Sequence, residues 1–236
     1  MTGEVFEKYG RYVKLIIAVL LLWGLMWQKD NVDNNMYKII NNTFVHNVIA
    51  LRVGNSVYFG RYYQDGINEK EPIEWRILDI EDDKILLMSE YGLDVKRYNE
   101  KKEPTSWGDC SLRNWLNQDF IVEAFTNDEQ KSIILSKLIT NNEKTEDKVF
   151  LLSSEAAEKY FDSNEDRMCK PTKFAINHGA YQNKDNGQCW WWLRSLGDYS
   201  YDATRVNTVG SVTDYGSGVN LNNGSVRPAL WINLKS

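Results

Sequence analysis

CWWWLRS at residues 189–195 and VRPALWINL at residues 226–234 are the two stretches whose reading decides this fold. Both are apolar, aromatic and of strand length, so both read as buried strands whose tryptophans are core material first. Arg194 and Arg227 stand inside them. A guanidinium embedded in an apolar strand needs partners for five donors, and clamping of loop carbonyls or of a carboxylate is the expected role.

Between the two blocks, residues 198–225 follow a different rule. Of these 28 residues, 21 are Gly, Ser, Thr, Asn, Asp or Tyr, and Lys, Glu and Pro are absent. Hairpin turns account for the glycines and for Asn222-Asn223-Gly224. They do not require Tyr199, Tyr201, Tyr215 or Arg205. Tyrosine among small polar residues is the composition of antibody contact loops, where the ring supplies rigid amphipathic area and Ser, Gly and Asn adapt. The expected contact residues are Tyr199, Tyr201, Asp202, Arg205, Asn207, Asp214, Tyr215, Asn220 and Asn222.

Upstream, Ile73, Trp75 and Ile77 alternate with polar residues, the period of a half-buried strand. Asp82-Asp83 separates it from Ile85-Leu86-Leu87-Met88, predicting a hairpin; the acidic cluster there reads as a solvated turn rather than a cation site. Ser111 opens a short helix with Leu112, Trp115 and Leu116 on one face. Thr126 and Glu129 form a capping box. Residues 149–152 look strand-like and lead to a helix with Ser154 as N-cap. Residues 171–177 predict another, with Pro171 in its first turn and Gly179 past its end. Short helices among strands make the fold class α+β.

The amino terminus carries LIIAVLLLWGLMW at residues 15–27, without a charge. As a helix it spans about 20 Å; Tyr12, Val13 and a snorkelling Lys14 extend it, and Trp23 and Trp27 suit a membrane interface. An uncleaved transmembrane anchor over residues 12–28 is expected. A cleaved signal peptide is the alternative, although no A-x-A-like pair of small residues follows. Lys8, Arg11 and Lys14 against Lys29 place residues 1–11 in the cytoplasm and the main domain outside. Residues 29–52 form a polar stalk and residues 53–236 the domain.

The formal charge of -5 supplies no basic field, so nucleic acid is not an expected partner. Cys110, Cys169 and Cys189 lack CxxC or Cys/His metal spacing. Three separate, half-buried thiols are expected, with one bridge plus a free thiol as the alternative outside the cytoplasm.

Six stretches in order carry a resemblance: IEWRILD (73–79), CSLRNWLN (110–117), VFLLSSEA (149–156), CKPTKFA (169–175), WWLRS (191–195) and VRPALWINL (226–234). Over residues 57–234 the chain resembles an uncharacterised bacterial domain family found in secreted and membrane-anchored proteins. The family's last third looks like the C-type-lectin-like fold of formylglycine-generating enzymes and of the variable receptors of diversity-generating retroelements. The resemblance therefore implies a C-type-lectin-like mixed sheet. It also implies exposed, diversified residues between an aromatic-Arg strand and a terminal Arg-containing strand. Adenine-directed mutagenesis favours codons for Asn, Asp, Tyr, Ser, Thr and Gly, the bias of residues 198–225. Leu196 stands where the family usually has Pro. The calcium–sugar triplet of true lectins is missing.

Catalysis finds little material. His46 lies in the stalk and His178 at a helix end, where a dipole contact is the simpler role. No Ser/His/Asp order, phosphate-binding glycine loop or HExxH is present. The formylglycine-generating resemblance would imply oxidase chemistry with paired cysteines or a thiolate-bound copper, but no motif match carries those roles over. The expectation is a membrane-anchored domain binding a protein or glycan ligand, without cofactor or metal. An oxidoreductase of that kind and a purely structural envelope protein are the alternatives.

Overall fold

Apolar alternation in residues 70–81 and a fully apolar run after Asp82-Asp83 yield the two central strands. The computed structural model describes residues 51–66 and 68–235, all within the unit Asn47–Ser236. The expected tail, the anchor at 12–28 and all but the last two residues of the stalk lie outside the described residues. Among the described residues, no helix is long and apolar enough to cross a membrane.

In chain order the strands are β1 (Ser56–Tyr63), β2 (Lys70–Glu81), β3 (Lys84–Ser89), β4 (Asp94–Val95), β5 (Ser136–Thr140), β6 (Glu143–Asp147), β7 (Trp191–Leu196), β8 (Asp202–Val206), β9 (Val212–Gly218), β10 (Ser225–Val226) and β11 (Ala229–Asn233). The helices are short: α1 (Ser111–Trp115), continued through a π-helical turn (Leu116–Phe120) into α2 (Ile121–Ala124), then α3 (Asn127–Ser132), α4 (Ser154–Lys159), α5 (Asn164–Arg167) and α6 (Lys173–Asn177). The class is α+β. The sheets run β1-β2-β3-β11, β4-β10-β7-β8-β9 and β5-β6. The five-stranded sheet is mixed, because β10 pairs parallel with β7 and antiparallel with β4.

The predicted hairpin forms, with Asp82 at a φ of 44° in its turn. Register slips between Ile77 and Asp79, leaving Leu78 as the extra residue of a bulge. That is why Ile77 and Leu78 are both buried although they are neighbours. A second irregularity falls at Gly60, whose φ is +66°. A Cβ there would sit 2.5 Å from the Phe125 ring, so only glycine lets β1 approach α2 and the residues after it. Trp75, wholly buried, donates from its indole to the Phe59 carbonyl at 2.7 Å.

The run at 226–234 is not one strand. It divides at Arg227-Pro228 and serves two sheets, β10 in one and β11 in the other. Proline cannot donate to a ladder, so the chain leaves one sheet there and joins the next. The Pro228 carbonyl accepts from Ser89 N–H at the crossing.

Residues 149–152 form no regular strand. Asn117 takes the ladder's place, accepting from the Lys148 and Val149 amides and donating to the Val149 carbonyl. Phe150 bridges Ala229, and the Leu151 carbonyl accepts from Arg194 Nη1. Caps shift by a residue or two from the expected places. Cys110 Sγ accepts from Arg113 N–H at the start of α1, Ser153 rather than Ser154 caps α4, and Thr172 caps α6, leaving Pro171 outside it. The Thr126–Glu129 capping box forms as expected.

Candidate functional site

Trp190 and Trp192 lie beneath Arg205 and Gly224. β7, β8 and β9 follow one another in the sheet with β9 at the edge. Opposed residues of neighbouring strands point to one face, so Trp192 and Arg205 share a face, and Arg205 and Thr213 share it in turn. Trp190 and Trp192 meet edge-to-face at 4.8 Å, and the Arg205 guanidinium lies 4.9 Å over the Trp190 ring. Arg205 makes no ion pair with a carboxylate among the described residues, and its Nε is buried without a hydrogen-bond partner. Burial holds its pKa below the usual arginine value, with Tyr215 close enough to oppose the shift.

One end of this sheet gathers most of the expected contact residues. Tyr199 is 60% exposed and stacks on Tyr201 with rings 5.4 Å apart and 1° from parallel. Lys102 Nζ sits 5.5 Å from the Tyr201 ring centroid. Tyr215, 65% exposed, joins the same end through its backbone, since its carbonyl accepts from Asp198 N–H at 3.2 Å. Asp202 faces Gly218 across the β8–β9 ladder. A Cβ on Gly218 would lie 3.4 Å from Asn220 Oδ1 and 3.9 Å from Asp202 Oδ1, so those two polar side chains flank it. Asp214, Asn220 and Asn222 are exposed.

Asn207 is placed elsewhere. It starts the turn at the far end of β8, five residues from Asp202, or about 17 Å along an extended chain. Its side chain is occupied there, accepting from the Val209 and Ser211 amides. Gly210 completes that turn at φ +80°, packed so closely on the Asn164 carbonyl that a Cβ would overlap it. The turn is further held by Arg167 donating to the Gly210 carbonyl and Asn183 Nδ2 donating to Thr208 Oγ1. Asn207 is a turn builder in this structure, away from the tyrosine end.

Sequence reading missed residues 97–105. Arg97 Nε donates to the Asn220 carbonyl, Asn99 N–H to the Val219 carbonyl and Thr105 N–H to the Ser200 carbonyl. This segment borders the tyrosine end and brings Lys102 to it. Its sequence, RYNEKKEPT, carries only the signal of a solvated loop.

Arg194 behaves as the sequence implies. Its Nε donates to Thr140 Oγ1 at 2.7 Å and its Nη1 to the Leu151 carbonyl at 2.9 Å, while Tyr98 Oη donates to its carbonyl at 2.8 Å. Burial keeps the Tyr98 phenol well above its ordinary pKa, so it stays a donor. His178 is the C-cap of α6, with Nδ1 2.8 Å from the Phe174 carbonyl and its ring against Phe174. Burial pushes the Cys110 thiol up to about 12, which leaves it protonated and unreactive.

All three cysteines are free thiols, buried rather than half-buried, and two of them are neighbours. Cys169 and Cys189 oppose each other across an antiparallel bridge, and Cys189 N–H donates to the Cys169 carbonyl at 2.7 Å. Among the described residues no group of three or more His, Cys, Asp or Glu is placed to hold a metal ion.

A small α+β domain with two main sheets and an exposed aromatic end is the class these observations define. The chain belongs to DUF6273, a family of domains of unknown function whose model matches residues 82–234. The match opens in the β2–β3 turn and closes just after β11, so β1 and β2 lie before it. No curated protein and no solved structure matches the chain.

Proposed function

We propose that this domain is an extracytoplasmic, non-enzymatic binding module, anchored through residues 12–28, with a C-type-lectin-like fold. Its contact surface is the tyrosine end of the β7–β8–β9 sheet. The observation that carries the reading is the stack of an exposed Tyr199 on a half-buried Tyr201, at the end of the sheet that exposed Tyr215 joins through its backbone. Large aromatic side chains on a monomer surface lose free energy to water unless a partner covers them, and Tyr is the favoured anchor of recognition surfaces. Arg205 adds a cation on an aromatic floor with one nitrogen unpartnered. Lys102, Asp202 and Asn220 supply a polar rim. Asp214, Tyr215 and Asn222 extend the surface along β9 and the loop after it.

The ligand class is a protein or a glycan, and either suits flat rings rimmed by mixed charge. The composition of residues 198–225 further supports a diversified receptor loop. A gene neighbourhood with no near-copy of the 3′ region and no reverse transcriptase removes that part of the reading alone.

A glycan array and an array of displayed random peptides, probed with the full chain in detergent, test the surface. The Tyr199→Ser/Tyr201→Ser double variant should lose binding by about 30-fold or more, the scale of two or more kcal/mol at an aromatic anchor. Its stability should fall by no more than about 2 kcal/mol, since Tyr199 is exposed and Tyr201 half-buried. Binding equal to wild type by the variant refutes the site. Cell fractionation tests the anchor: full-mass protein should stay in the membrane pellet through a high-salt wash, and its release by salt refutes an anchor at 12–28.

A further inference from the structure

Cys169 and Cys189 come together only in the fold. Cys169 lies between α5 and α6, and Cys189 just before β7. Directly opposed residues of an antiparallel pair have Cα atoms about 4.5–5.5 Å apart, inside the span of about 4.4–6.8 Å that a disulfide bridges. Cys169 Sγ lies 3.4 Å from the Lys170 carbonyl and 3.7 Å from the Glu90 carbonyl. Both cysteines are buried. A Cβ on Gly92 would lie 3.2 Å from Cys189 Sγ and 2.7 Å from Ser225 Cβ, so glycine leaves the room this pair occupies.

Arg227 stands beside the pair with no exposed surface. Its Nε donates to the Ser89 carbonyl at 2.8 Å, its plane lies between Phe161 and Trp191, and Nη1 and Nη2 find no hydrogen-bond partner. Glu90, the nearby carboxylate, is taken by Arg76 in a two-point pair at 2.6 and 2.8 Å. A guanidinium cannot shed its proton, so its charge must be answered by another group.

We propose that Cys169 and Cys189 are a redox pair that closes to a disulfide across the bridge, pinning the segment 170–188 to the start of β7. When the pair is open, Cys169 is the sulfur readier to lose its proton and so to answer Arg227. Burial, which raises its pKa, is outweighed by the hydrogen bond from Cys189 and the charge of Arg227, and the thiol is held below its ordinary value. Cys189, raised well above its ordinary value by burial and by Cys169, keeps its proton.

The oxidant is a disulfide, either of a small thiol or of a thiol–disulfide oxidoreductase. The Cys169 thiolate attacks one of its sulfurs, forming a mixed disulfide and releasing one thiolate, which takes the Cys189 proton. The Cys189 thiolate then attacks Cys169 Sγ and expels the second thiolate. One thiolate, one thiol and one disulfide enter; one disulfide, one thiol and one thiolate leave. Because both sulfurs are buried, exchange passes through an opened state of segment 170–188. Closure fixes the segment whose Asn183 and Asn186 hold Thr208 and whose Tyr181 N–H donates to the Asn223 carbonyl. Oxidation also removes the partner of Arg227. Stabilising the reduced form in this way makes a disulfide easy to reduce.

The full chain, refolded from urea in detergent at graded ratios of reduced to oxidised glutathione, tests it. Acid quenching, alkylation under denaturing conditions and peptide mass mapping read each cysteine. Cys169 and Cys189 should lose alkylation together, joined to each other, while Cys110 stays alkylated. Arg227→Met should move the midpoint at least about tenfold toward the more reducing ratio, since the oxidised form no longer carries an unanswered charge. If Arg227→Met does not fold, the wild-type midpoint decides: it must lie at a more oxidising ratio than that of a Cys169–Cys189 peptide pair in urea. Full alkylation of all three cysteines in oxidised glutathione overturns the pair. A midpoint equal to or more reducing than that of the denatured chain overturns the role of Arg227.

Discussion

Replacing Asp147 by alanine lowers the unfolding free energy by about 3–5 kcal/mol, read as a fall in the urea midpoint at unchanged slope. Asp147 ends β6 with a side chain that has no exposed surface. Its carboxylate accepts from Arg113 Nε at 2.6 Å, Trp107 Nε1 at 2.9 Å and Thr145 Oγ1 at 3.0 Å. Three donors from α1, the loop before it and β6 thus converge on one buried anion. Alanine leaves the wholly buried Trp107 indole N–H without an acceptor and Arg113 without its counter-ion. Asn in its place keeps an acceptor oxygen and loses the charge. Charge-assisted bonds are roughly twice as strong as neutral ones, so about half the loss should remain. An alanine variant with a wild-type midpoint sinks this account of how α1 is tied to the β5–β6 hairpin.

Trp192→Ala should cost a similar amount, about 3–5 kcal/mol, by a different route. Trp192 is fully buried, stacked edge-to-face on Trp190 and 5.9 Å from Tyr98, and its indole donates to the Lys96 carbonyl at 3.0 Å. Its loss opens a cavity beside Trp190 and beneath the loop at Gly224, and frees the Lys96 carbonyl. The loop at Gly224 loses its support too, because a Cβ there would lie 2.6 Å from Trp192 Nε1. Hydrogen exchange should therefore accelerate first at the Asn99 and Ser225 amides, which bond to the Val219 and Trp190 carbonyls. Trp192→Phe retains a ring and should lose less. Faster exchange confined to β1–β3 would show that Trp192 does not support this surface.

The hairpin of β2 and β3 was legible because alternation and an Asp-Asp turn are local signals, as was the Thr126–Glu129 box. The break at Arg227-Pro228 carried its signal in the proline, yet an apolar run either side of it reads as one strand. Residues 149–152 look like a strand for good reason. They have the composition, but their partners are the side chains of Asn117 and Arg194, which no local pattern reveals.

The candidate site divides the same way. That residues 198–225 differ from the rest of the chain was plain from composition, and Tyr199 and Tyr215 are indeed exposed. Which of them cooperate was not plain. Asn207 and Tyr201 are close in sequence and belong to the same biased composition, but β8 carries them to opposite ends. Lys102 belongs with Tyr201 although about a hundred residues separate them, because Thr105 and Ser200 share a backbone bond.

By itself the sequence determined the α+β class, the buried tryptophan block at 190–192 and the tyrosine-rich segment after it, since periodicity and composition act over neighbouring residues. Only the tertiary structure decided that 226–234 serves two sheets, that Lys102 joins the tyrosine end, and that Cys169 meets Cys189 beside Arg227. Those are contacts between residues far apart in the chain, and the packing of whole elements fixes them.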